Sequence, residues 1–240
     1  MDDRPRGEII SGWTPAPLPG PDVIDGRFAR LERLDPARHG ADLADAWLGH
    51  DWLWDYMFRG PFDDAAGIGA YLRDIAGQPD PYFYAIRDLA GGRAAGVASL
   101  MRITPVMGVV EVGNICLAPA LQQTPAATEA MFLLMAWAFD NGYRRYEWKC
   151  DALNRPSRRA AQRLGFSFES IFRQHMIVKG RSRDTAWFAI IDREWPALRA
   201  AYERWLAPGN FDASGRQRHS LSALTRPLLF ARDPLLQDAG

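Results

Sequence analysis

Apolar positions along this chain switch repeatedly between strand and helix spacing. Residues 27–34, RFARLERL, read as a first strand. Asp35-Pro36 then supplies a helix N-cap and a proline suited to the first turn. Residues 52–62, WLWDYMFRGPF, are aromatic and end at Gly60-Pro61, and a second short helix is expected over 63–77, capped by Asp63 or Asp64. Strands follow at 82–88, 94–103 and 109–117, the first two joined by a hairpin turning at Gly91-Gly92. Beyond them the spacing predicts a helix over 125–141, a strand over 145–153 and a helix over 155–165. Strands within 166–181 and 185–192 come next, then a last helix over 192–206 capped by Asp192, with Trp195, Leu198, Tyr202 and Trp205 as its apolar stripe.

This order predicts an α+β fold with α/β-like layers, a mixed central sheet carrying helices on both faces. Residues 1–26, proline-rich around GWTPAPLPGP, read as an extended arm. Residues 27–206 read as one domain. Residues 207–240 lose periodicity and read as an extension; arm and extension together are candidates to dock onto a second copy, giving a homodimer.

Composition narrows the classes. Of the 240 residues, 48% are hydrophobic and 24% charged, which allows a normal core and argues against general disorder. The 29 basic and 29 acidic side chains cancel, so bulk charge gives no attraction to nucleic acid. Cys116 and Cys150 sit in apolar runs without Cys-x-x-Cys spacing, which predicts buried thiols in a cytoplasmic protein, not a disulfide framework or zinc site. His39, His50, His175 and His219 form no pair with ligand spacing, so no metal is expected. No apolar run reaches membrane length, and the start, MDDRPRGEIISGW, lacks the apolar centre of a secretory signal, so no membrane partner is expected. Nine tryptophans point to large packing surfaces or to one aromatic-walled pocket.

Two helix starts are candidate anion sites. In LQQTPAATEA, Thr124 or Gln123 can cap a helix that has Pro125 in its first turn. The N–H groups of 123, 124, 126, 127 and 128, with the positive helix end, would suit phosphate oxygens. The loop has no glycine, and taken alone the stretch reads more readily as an ordinary strand-to-helix connection. In DALNRPSRRAAQRLGF, Asn154 or Ser157 can cap, while Arg155, Arg158 and Arg159 cluster against the dipole of their own helix. Either an anion relieves them or they form a solvated basic face.

Taken together these segments resemble the GNAT N-acetyltransferase superfamily, and most closely its Rim-like branch, whose enzymes acetylate ribosomal-protein N-termini. Glu111, Gly113 and Pro119 answer one family signature. Ala127-Thr128-Glu129-Ala130 answers a second, and Asn154 and Ser157 with Leu164-Gly165-Phe166 answer a third. Residues 183–190, RDTAWFAI, resemble the final core strand, and the resemblance covers about residues 27–195. It implies the GNAT fold with a mostly antiparallel mixed sheet, and acetyl-CoA as acyl donor. The pyrophosphate would lie on Gln122, Gln123, Thr124, Ala126, Ala127 and Thr128, and the pantetheine arm along Ile115 and Leu117. Asn154, Ser157 and Arg158 would stand beside the thioester. Two departures stand out: Pro125 occupies the place of a loop glycine, and Ala161 stands where many relatives carry a tyrosine acid. Ser157 inherits that acid's role from the Rim-like pattern.

Acetyl transfer to an amine needs a base, an oxyanion donor and a protonated leaving thiolate. Glu111 is the candidate base, or else a structural carboxylate. Backbone N–H groups near Asn114 and Ile115 are candidate oxyanion donors. Ser157 is the candidate acid, or else only a cap, with Asn154 beside it. Trp52, Trp54, Asp55, Tyr56 and Phe62 are candidates to frame the amine by cation–π contact and charge, or else pack on the sheet. The expected activity is transfer of an acetyl group to a primary amine of a small molecule or a peptide N-terminus. A non-catalytic acyl-CoA-binding module of the same fold is the rival reading, supported by Pro125 and Ala161.

Overall fold

Eight strands form one sheet in the computed structural model, which describes residues 4–236. They are β1 (Val23–Asp25), β2 (Ala29–Arg33), β3 (Tyr82–Asp88), β4 (Arg93–Thr104), β5 (Val109–Leu117), β6 (Arg145–Asp151), β7 (Ser167–Val178) and β8 (Arg181–Ile191). The spatial order is β1-β2-β3-β4-β5-β6-β8-β7. Every pairing is antiparallel except β5 with β6. Six helices accompany the sheet: α1 (Pro36–Trp47), α2 (Ala65–Ile75), α3 (Pro125–Asp140), α4 (Arg155–Arg163), α5 (Trp195–Leu206) and the single turn α6 (Leu221–Thr225). This is the expected α+β architecture.

Local chemistry sets most helix starts. Asp35 accepts from Ala37 N, Asp64 from Gly67 N, Thr124 from Ala127 N and Asn154 from Ser157 N. Helix α5 departs from expectation: it starts three residues later than Asp192, and Glu194 at its cap position makes no side-chain cap bond. Glu194 instead accepts from Ile191 N, at the end of β8.

Strand β1 lies inside the stretch expected to be an extended arm. Gly26 N donates to Ala29 O, closing a tight turn between β1 and β2. Glu129, buried on α3, accepts from Phe28 N at 2.6 Å and Ala29 N at 2.9 Å, so this carboxylate anchors the start of β2. A Cβ on Gly26 would stand 2.4 Å from the Glu129 carboxylate oxygen, which leaves room only for glycine. The proline-rich segment before β1 lies against its own chain through Trp13 Nε1 to Val106 O and Ala16 N to Pro105 O.

Alternation along the strands divides the core. Leu31, Tyr84, Leu100, Val110, Val112, Tyr146, Trp148 and Phe188 pack toward α3 and α5, where Leu134, Leu198 and Tyr202 meet them. Phe83, Ala85, Val97 and Cys116 face the other way, toward Leu43 and Trp47 of α1 and Ile68 and Leu72 of α2. Each large side chain so buried contributes roughly 1.5–3 kcal/mol. The C-terminal extension docks on its own chain: Thr225 Oγ1 donates to Arg163 O, Phe230 N to Ser167 Oγ and Phe168 N to Ala231 O.

Candidate functional site

Strands β5 and β6 pair over only four positions, from Val109↔Arg145 to Val112↔Trp148, and then part. On the other edge of β5 the ladder with β4 slips between Val97 and Ser99, where Asn114 adopts φ +50°. Asparagine tolerates this left-handed geometry better than most residues. The backbone at Asn114–Ile115 therefore bulges where its parallel neighbour departs. Helix α3 follows β5 and α4 follows β6, so both helix N-termini lie at the carboxyl ends of the diverging pair. In open sheets ligands bind in such a crevice.

The α3 loop offers fewer donors than its sequence promises. Thr124 N bonds Leu121 O, Ala127 N bonds Thr124 Oγ1, and Thr128 N bonds Thr124 O. Among the described residues, the N–H groups of Gln123 and Ala126 are left uncommitted. Gln123 is exposed at φ +61°, and Gln122 Nε2 is held by Leu117 O at 2.9 Å.

At α4, Asn154 caps through Ser157 N at 3.0 Å, and Trp148 Nε1 donates to Ser157 Oγ at 3.1 Å. With that lone pair engaged, the Ser157 hydroxyl proton points elsewhere. Cys150 is one neighbour of the hydroxyl, and burial pushes its thiol up to about 11. Arg158 does not serve the crevice. Its guanidinium is buried against Asp233, with Nε and Nη2 at 2.6 and 2.5 Å from the two carboxylate oxygens, and Nη1 reaches Ala152 O at 2.7 Å. The anion that relieves this arginine belongs to the chain's own extension.

Glu111 lies on the β5 face that looks toward α1 and α2, and 3% of it is exposed. Its Oε2 accepts from Arg102 Nη1 at 2.6 Å and pairs with Lys149 Nζ at 2.9 Å. Its Oε1 has no partner among the described residues. Lys149 also meets Glu147 at 2.8 Å and sits 3.8 Å from the Trp187 ring centroid. Arg102 is aimed by a bulge in β4: at φ +47° its N–H bonds Asp80 Oδ1, while Ile103 N bonds Asp80 Oδ2. No sequence spacing announces Arg102 or Lys149 as partners of Glu111, because their contacts come from sheet register.

Of the five expected amine-framing residues, two are packing residues. Trp54 is 2% exposed and meets Trp47, Phe62 and Tyr71 edge-on. Phe62 stacks obliquely on Tyr71. Trp52, Asp55 and Tyr56 are exposed, and Tyr56 reaches Leu153 O across the crevice mouth at 3.4 Å. A cavity of about 400 Å³ lies beside them, between α2 and β3. Its walls include the next residues of the segment, Met57, Phe58 and Arg59, with Tyr71, Phe83 and Asn114. Asn114 thus joins this cavity to the crevice between β5 and β6.

Residues 30–167 match the model of the acetyltransferase (GNAT) domain. Among solved structures, the chain is 47% identical to a GCN5-related N-acetyltransferase from Brucella melitensis, covering 90% of this chain and 100% of that one at a TM-score of 0.88. It is 38% identical to a probable GNAT-family acetyltransferase from Chromobacterium violaceum, covering 82% of this chain and all of that one at a TM-score of 0.76. A Salmonella typhimurium acetyl transferase that modifies the N-terminal serine of ribosomal protein L7/L12 shares 21% identity over 70% of this chain and 98% of its own. Its TM-score of 0.61 speaks to the fold alone. No curated protein matches the chain.

Proposed function

Because this chain belongs to the acetyltransferase (GNAT) family, we propose that it transfers an acetyl group from acetyl-CoA to a primary amine. The observation that carries the reading is the parting of β5 from β6 beyond Val112 and Trp148, flanked by two helix N-termini and opening toward a cavity. Gln123 N and Ala126 N are the uncommitted donors for the pyrophosphate, backed by the α3 dipole. Pro125 removes one donor, so the diphosphate is held by few bonds plus the helix end. The pantetheine arm would lie along Ile115 and Leu117, the strand edge that β6 leaves.

Acetyl-CoA supplies an activated acyl carbon. Glu111 Oε1 takes a proton from the incoming amine, directly or through water, as the N–C bond forms. The N–H groups of Asn114 and Ile115, raised by the bulge, hold the oxyanion. Ser157 Oγ–H gives a proton to sulfur as the C–S bond breaks, and water then returns a proton to Ser157 and takes one from Glu111. Arg102 and Lys149 fix the opposite oxygen of Glu111 and so hold Oε1 in place. Asn154 keeps the first turn of α4 in register for Ser157.

The cavity of about 400 Å³ favours a small amine or the tip of a peptide over a folded protein surface. The Rim-like pattern of Asn154 and Ser157 keeps a peptide N-terminus among the acceptors. The test is a panel of amines, amino acids and short peptides incubated with acetyl-CoA, with products read by mass. An acetylated amine that requires the protein supports the reading. Acetyl-CoA binding with no product from any acceptor favours the non-catalytic module.

A further inference from the structure

Arg183, on β8, is a buried arginine without an acid. Only 7% of it is exposed, and its Nε is buried with no hydrogen-bond partner. Among the described residues no hydrogen bond or ion pair engages its guanidinium. A ring faces it instead: Cζ lies 5.3 Å from the centroid of Phe58, which also lines the cavity that ends at Asn114, while the charge of Asp151 acts on it from beyond ion-pair distance. Arg158, also buried, shows the other solution, a carboxylate at 2.5 Å. Leaving a guanidinium desolvated and unpaired is costly, and such a group persists where a ligand completes it.

The surroundings give the sign of that ligand. Glu111 is already shared by Arg102 and Lys149, and Glu147 by Lys149 and Arg145. Asp151 Oδ1 is used by Leu153 N. Lys179, at the tip of the β7–β8 hairpin, makes no ion pair among the described residues, though the charge of Asp55 acts on it, and is tied by its Nζ to Trp54 O at 2.7 Å. That bond brings the hairpin onto the segment carrying Tyr56 and Phe58. Two cations, Arg183 and Lys179, thus stand behind the Phe58 side of the cavity, neither paired to a carboxylate among the described residues. The two acids of the cavity lining are engaged elsewhere, Asp74 by Arg59 and Asp80 by Arg102 N and Ile103 N.

We propose that the acceptor amine carries an anionic oxygen group, a carboxylate or a phosphate, which docks on the Arg183 guanidinium beside Phe58 while the amine faces Glu111 and Asn114. This rests on the transfer reading and names its substrate class. A polyamine would add positive charge beside Arg102, Arg183 and Lys179 and is disfavoured. A guanidinium binds either oxyanion through paired N–H bonds, so the test must separate the two.

The experiment uses the full chain, acetyl-CoA and matched acceptor sets: an amino acid, its carboxamide, its decarboxylated amine and the corresponding aminoalkyl phosphate. Loss of the anionic group should lower kcat/KM by ~10-fold or more, mostly through KM, as expected when a charge-assisted bond is lost. Whichever anionic member is better identifies carboxylate or phosphate. The variant R183M should bring the charged and neutral members to within about twofold of each other, with acetyl-CoA binding unchanged; R183K should fall between. Because no acid pairs with Arg183, R183M should unfold at the same temperature as the parent or higher, which separates a binding role from a structural one. Neutral or cationic amines as the best substrates, or an anion preference that survives R183M, would overturn the inference and leave the transfer reading standing. Absence of any acetylated product would overturn the transfer reading itself, and this inference with it.

Discussion

Replacing Asp233 by alanine should damage the protein far more than its place near the end of the chain suggests. Its carboxylate is fully buried and holds both Nε and Nη2 of Arg158, which is 2% exposed. The same guanidinium holds Ala152 O, so one ion pair ties the extension, the turn after β6 and the first turn of α4 together. Removing one partner leaves a buried charge unmatched, a loss of about 3–5 kcal/mol. In a chain of this size each kcal/mol moves the unfolding midpoint by about 2–4 °C, so D233A should unfold roughly 6–20 °C lower. Thermal unfolding followed by circular dichroism measures this directly. The double variant R158M/D233L replaces the pair by apolar side chains of similar bulk and should recover most of the loss, since both charges leave together. A D233A midpoint within about 2 °C of the parent would show that this pair does not hold the extension in place. A double variant as unstable as the single one would show that the loss does not come from an unmatched charge.

Three further outcomes follow from the same structure. Glu111→Gln and Ser157→Ala should each lower kcat, by ~10²-fold for the base and less for the acid, while acetyl-CoA affinity by calorimetry stays within about twofold; an unchanged kcat in both would remove the proposed chemistry. Burial raises the pKa of Glu32, but hydrogen bonds from Arg87 and His39 and the charges of Arg87 and Arg38 outweigh it and bring it from 4.5 to about 2. A depressed carboxylate stabilises the fold above its unfolded pKa, so its contribution should be lost between about pH 5 and 2. Acid unfolding of E32Q should show a shallower slope in that window. Burial also pushes the thiols of Cys116 and Cys150 up to about 12 and about 11. A thiol reagent at pH 8 should therefore label neither in the folded protein and both in denaturant, as counted by mass; fast labelling of the folded chain would contradict their burial.

What the sequence discloses here is mostly what short-range bonding decides. Asp35, Thr124 and Asn154 each cap a helix through an N–H two or three residues on, so each start is visible in a few letters. The stripe of α5 is visible because one helix face repeats locally. Strand β1 escapes notice because three residues carry no period, and its pairing depends on Gly26 fitting beneath Glu129, about a hundred positions away. The candidate site divides in the same way. Glu111 stands out as a lone charge in an apolar strand, but Arg102 and Lys149 reach it through a β4 bulge and a parallel neighbour that no spacing rule reveals. The arginine cluster after Asn154 does call for an anion. For Arg158 that anion is Asp233, 75 positions along the chain. The aromatic segment misleads for a related reason: in a single tight turn no period tells Trp54, which faces the core, from Phe58, which faces the cavity.

The proposed chemistry requires the acyl donor in one place, which a crystal structure of the protein with acetyl-CoA would reveal. It should place the diphosphate against the N–H groups of Gln123 and Ala126 and the thioester carbonyl at Asn114–Ile115, in the gap that β6 leaves beside β5. A donor bound with its diphosphate elsewhere, or with its thioester outside that gap, would contradict that chemistry.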